Sequence, residues 1–99
     1  MRVGDRIRVL EADLHPHLKA RMQQRGITRQ EIEHVLNEGW KAGDAKTGTL
    51  GKVLVFAYRG EWEGQFYYEK EVTVYYKVAE GEIRLLTAKA RYGKDFPRR

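Results

Sequence analysis

Ninety-nine residues, 41% of them apolar and 33% charged, suit one folded domain with one core rather than a disordered chain. With no Cys and no Ser, the chain excludes disulfides, thiolate metal sites and hydrolysis by a Ser or Cys nucleophile. No apolar run approaches the roughly 20 residues of a membrane helix, and a net charge of +5 favours an anionic partner, nucleic acid or an acidic protein, although a merely soluble basic surface has the same composition.

The elements follow in chain order. Met1 to Arg6 has no apolar stretch of the secretory kind, so the expected compartment is the cytoplasm. Ile7 and Val9 alternate with Arg6 and Arg8, which predicts a short first strand or extended arm. Asp13 or His15 can cap the next helix, with Pro16 in its first turn. In that helix Leu14, Leu18 and Met22 form an apolar line for the core. His17, Arg21 and Arg25 line up on a neighbouring face, and Gly26 supplies the C-terminal cap. Thr28 with Glu31 has the capping-box spacing and opens a second helix, whose Ile32, Val35 and Leu36 are its buried positions and whose stop is Gly39.

Beyond the Gly-rich stretch from Gly43 to Gly51 the period becomes strand-like. Val53 to Tyr58 is a β-branched and aromatic run. From Tyr67 to Val78 the residues alternate, with Tyr68, Val72, Val74, Tyr76 and Val78 on one side and Glu69, Glu71, Thr73, Tyr75 and Lys77 on the other. Ala79 to Glu82 reads as a hairpin connection, and Ile83 to Arg91 as a more apolar strand central in the sheet. No repeat or linker interrupts the chain, so residues 1–99 are expected to form a single α+β domain. In it two N-terminal helices pack on one face of a three- to four-stranded antiparallel sheet.

Two segments, His17-x3-Arg21-Met22-x2-Arg25-Gly26-Ile27-Thr28 and Glu71-Val72-x-Val74-Tyr75-Tyr76 followed by Ile83-x-Leu85-Leu86-Thr87-Ala88-x-Ala90-Arg91-Tyr92-Gly93, together resemble a family of small, mostly bacterial proteins of unknown function known by its His and Arg-Gly motifs. That resemblance covers roughly residues 12 to 96; in its two-helix, three-strand order and its last strand motif the chain is also similar, more distantly, to the BrnT toxins of the RelE-like ribonuclease group, with Leu-Leu-Thr-Ala where BrnT has Ile-Ser-Ala. The resemblance implies a RelE-like fold, RNA as ligand and an antitoxin protein as partner.

Without Ser or Cys, catalysis would fall to imidazole and cations. His17, at the positive end of a helix and beside two arginines, is disfavoured as imidazolium and suits a general base; it could equally bond a carbonyl or pack on the sheet. Arg21 and Arg25 could clamp a phosphate or simply complement the helix C-terminus, and Arg25 could also pair with Glu69 or Glu71. Thr87, Lys89 and Arg91 share one strand face. If that face meets the helical stripe, His17, Arg21 and Arg91 form a metal-independent RNA-cleaving centre, with Arg25, Thr87, Lys89 and Tyr92 binding substrate. Ile83 and Leu85 share the same parity, so part of that face is core. The alternative is a non-catalytic interaction module in which the stripe is structural. Trp40 and Trp62 are expected to cover the core edge, and neither a metal nor a cofactor is expected, the three His having no metal-ligand spacing.

Overall fold

The structure, a computed structural model, describes residues 1–99. It is an α+β fold: a single 3-10 turn at Glu11–Asp13, helices α1 (Pro16–Arg25) and α2 (Arg29–Glu38), then strands β1 (Trp40–Lys41), β2 (Leu50–Trp62), β3 (Gln65–Ala79) and β4 (Glu82–Gly93). The strands form one antiparallel sheet in the order β1-β2-β3-β4. The sheet's two long hairpins turn at Glu63-Gly64 and Glu80-Gly81, each pair with positive φ, as the tight turns matching strand twist require.

Local signals fix the helices. His15 caps α1, its Nδ1 accepting from the Leu18 amide while its Nε2 donates to the Leu85 carbonyl at 3.0 Å, and the Nε2–H tautomer satisfies both bonds. Thr28 and Glu31 exchange the two bonds of a capping box at the start of α2. Between the helices Gly26 takes the left-handed conformation (φ 71°) and turns the chain in one residue.

Both helices cover one sheet face, α1 along β4 and α2 across β3 and β2. Leu18, Ile32, Val35, Val72, Val74 and Ala88 are fully buried between the layers. Each Leu, Ile or Val side chain there withdraws enough surface from water for about 1.5–3 kcal/mol. No helix is long and apolar enough to cross a membrane.

Of the two forms open to Ile7–Val9, the chain takes the extended arm: it lies on α2, where Asn37 takes the Ile7 amide and carbonyl, Glu33 the Val9 amide and Arg29 the Val9 carbonyl. One expectation is corrected. β3 is central, whereas β4, the strand expected to be central, is an edge strand. Its apolar content reflects the helix that shields it, since α1 supplies His15 to the Leu85 carbonyl and Arg25 to the Ala88 carbonyl of that edge.

Candidate nucleic-acid interface

A single extra residue in β4 decides which side chains reach the open face of the sheet. Tyr75 pairs with Thr87 but Tyr76 pairs with Leu85, so Leu86 is a bulge. Ile83 and Leu85 before it, and Ala88 after it, all belong to the core beneath the helices. Thr87, Lys89 and Arg91 are thereby turned to the opposite face, cross-strand from Tyr75, Thr73 and Glu71 of β3.

On this face Arg91 donates through Nε to Glu71 Oε1 at 2.8 Å. Glu71 is buried, whereas the Arg91 side chain remains 60% exposed. The guanidinium lies 4.9 Å from the Phe96 ring, and the chain beyond β4 is held by Glu69, which accepts from the Phe96 amide and from Arg98. Beside Arg91, Lys89 donates to Asp44 Oδ2 at 2.7 Å and the Tyr75 hydroxyl donates to Asp44 Oδ1 at 2.8 Å. The Tyr75 ring can lie over β2 because Gly51 is there: a Cβ at Gly51 would stand 3.1 Å from the ring. A cleft of about 570 Å³ opens between Trp40, Asp44, Thr73, Lys89, Arg91 and Arg99.

The charges here are fixed rather than poised to move protons. The hydrogen bond from Lys89, then that from Tyr75, holds the Asp44 carboxyl below its ordinary 3.8. The same carboxylate holds Lys89 above its ordinary 10.5. A lowered carboxyl loses its contribution only as pH falls through its folded value, and a raised ammonium only as pH rises through its own, so the Asp44–Lys89 pair is intact throughout the neutral range. Burial raises Tyr75, which keeps its proton. Glu71, by its hydrogen bond, raises Arg91 further. The face offers permanent cations, each paired with one carboxylate, and hydroxyl donors, and no imidazole: groups that can hold an anion when a carboxylate gives way or a guanidinium edge is left free.

The residues expected to form one centre are split between the two layers. His17 is exposed on α1, stacked on His15 at 6.1 Å, and Arg21 bonds only its helical neighbour Gln24. Neither meets Arg91, because the Leu86 bulge turns Arg91 away from the helices. Thr87 and Lys89 do join Arg91 on the open face. Arg25 instead bonds the Ala88 carbonyl at 2.7 Å, not Glu69 or Glu71, and Tyr92 donates to the Arg25 carbonyl at 2.6 Å. Burial, reinforced by the neighbouring Tyr58, Glu31 and Glu63, raises Tyr92 far above an ordinary phenol, so it keeps its proton and clasps the end of α1 through that bond. Trp62 packs over Gly26, as expected of a core-edge residue, but Trp40 pairs with Val53 on the open face and lines the cleft.

Asp44, Glu71 and Tyr75 were not among the expected site residues. Glu71 and Tyr75 were signalled by the alternation of β3, which places them on the side away from Val72 and Val74. Asp44 had no such signal, since it reaches the face from a loop. Neither a family model, nor a curated protein, nor a solved structure matches this chain.

Proposed function

We propose that the open sheet face binds RNA through its phosphates, as a protein of the RelE-like type would, with Arg91 and Lys89 as the phosphate ligands and Thr87 and Tyr75 as neighbouring hydroxyls. The observation that carries this reading is the pair of adjacent cations, one guanidinium 60% exposed, above a cleft on the sheet face that no helix covers. An acidic segment of an antitoxin would fit the same basic face, and such ligands belong to the cytoplasm. Binding without cleavage is the favoured form. Transfer to the 2′-hydroxyl chemistry of RNA needs a base, and the imidazole assigned to that task, His17, lies on the helical layer.

The test is fluorescence anisotropy with a short single-stranded RNA. Arg91→Ala alone would strand the buried Glu71 carboxylate, so the informative variant is Arg91→Ala/Glu71→Gln. It is expected to bind more weakly than the parent and to flatten the dependence of log affinity on log salt by about 1. Equal affinity and equal salt dependence would overturn the reading. RNA cleavage that disappears in His17→Ala would overturn its binding-only form. The second reading, a non-catalytic interaction module, draws on the bonds of His15 and Arg25 to β4 carbonyls, which give the helical stripe a structural role; it predicts no salt-dependent RNA binding at all.

A further inference from the structure

The open face holds two cation–carboxylate pairs, and they are built differently. Glu71 belongs to the central strand and is buried, so its carboxylate stays where the sheet puts it. Asp44 is carried on the loop between β1 and β2. The loop is held at its ends, where Ala42 bonds the Gly51 carbonyl and Thr49 the Lys46 carbonyl, but Gly43, Asp44, Lys46, Thr47 and Gly48 are exposed, so the segment that carries the carboxylate packs against little besides Tyr75 and Lys89.

The Asp44 carboxylate spans its partners in the manner of two phosphate oxygens. Oδ1 takes the Tyr75 hydroxyl at 2.8 Å and Oδ2 takes the Lys89 ammonium at 2.7 Å. We propose that Lys89 and Tyr75 form a phosphate seat, and that Asp44 occupies it as an internal stand-in which an RNA phosphate displaces; this is a regulation of the sheet-face site and rests on the RNA-binding reading above.

Three further observations support the exchange. The side chains of Asp44 and Lys89 are 56% and 42% exposed, so their ion pair is weak and a better anion can replace it. The hollow beside the seat, about 450 Å³, presents Lys46, Thr49 and Thr87 with Tyr75 and Lys89, giving further donors and room for the sugar attached to a phosphate. Finally, the carboxylate is ionised and the ammonium protonated across the neutral range, so competition by another anion releases the seat where a proton does not.

The experiment uses Asp44→Ala in the full chain, with Glu80→Ala in the β3–β4 turn as a control for the same change in net charge. Two readouts separate the seat from the RNA-binding reading. In amide and lysine-side-chain NMR, inorganic phosphate is expected to shift the Tyr75 and Lys89 signals of Asp44→Ala at concentrations that leave the parent and Glu80→Ala unchanged, and adding Lys89→Ala removes the response. In anisotropy, Asp44→Ala is expected to bind single-stranded RNA up to about fivefold more tightly than Glu80→Ala at low salt, the equivalent of the roughly 1 kcal/mol of an exposed pair. If phosphate moves the parent and Asp44→Ala alike, or neither, the stand-in is overturned, even where RNA binds through Arg91. If phosphate enters the seat only in Asp44→Ala while no protein binds RNA, the seat stands and the RNA-binding reading falls. RNA affinity no greater for Asp44→Ala than for Glu80→Ala overturns the stand-in as a regulator of RNA binding.

Discussion

The molecule contains the same trio twice, a lysine with a carboxylate and tyrosine rings, once inside and once outside. Lys70 meets Glu31 at 2.8 Å, donates to the Gly26 carbonyl, and lies 5.4 and 5.5 Å from the Tyr92 and Tyr58 rings, with its side chain 3% exposed. Lys89 meets Asp44 at 2.7 Å and lies 5.6 Å from the Tyr75 ring, 42% exposed. Distances and partners are nearly equal, but the surroundings differ. The inner ammonium has no water to turn to and depends on its partners, whereas the outer trio's charges are already hydrated. The inner trio therefore fixes the corner between α1, α2 and the sheet, and only the outer one is free to exchange a partner for a ligand.

Substitutions can break this comparison at graded cost. Lys70→Ala is expected to lower unfolding free energy by about 2–4 kcal/mol, from the lost bonds to Glu31 and the Gly26 carbonyl and the gap left between the Tyr58 and Tyr92 rings; chemical denaturation that gave Lys70→Ala and Lys89→Ala similar losses would erase the distinction, since Lys89→Ala belongs within about 0.5 kcal/mol of the parent. Gly26→Ala attacks the same inner corner through the backbone. Its Cβ would stand 2.6 Å from the Trp62 ring and 2.7 Å from the Tyr92 hydroxyl, in a left-handed conformation, so about 2–4 kcal/mol should be lost from strain and overpacking together. The smallest contrast is between adjacent histidines. His15→Ala removes a helix cap and a bond to β4 and should cost about 1 kcal/mol. His17→Ala should be neutral within about 0.5 kcal/mol in thermal unfolding, and a larger loss would return His17 to a structural role.

What could be read in advance divides along the same line. Capping at His15 and Thr28, the Gly26 turn and the buried rows of both helices are set by residues within four positions of one another, so the sequence carries them locally. The α+β arrangement followed from the change of period after Gly51. The site did not follow. Lys89 and Arg91 were identified by type, but their direction depends on the Leu86 bulge, which exists only relative to the register of β3. Arg25 and Tyr92 have the chemistry of a phosphate site and are consumed by carbonyls of the fold, a pairing between residues 63 and 67 positions apart that no local pattern announces. The edge position of β4 was hidden for a related reason: shielding by α1 gives an outer strand the composition of an inner one.

The arm ahead of the helices has a consequence of its own. Its Ile7 and Val9 backbone groups are held by the side chains of Arg29, Glu33 and Asn37, one helical turn apart, instead of by a neighbouring strand. A mould made of side chains exists only once α2 is wound. Undocking the arm would break none of the sheet's ladder, although Val9 would lose its place in the core. Such a segment exchanges its amide protons on its own clock, set by three rotamers and one buried valine, faster than the strands beneath it.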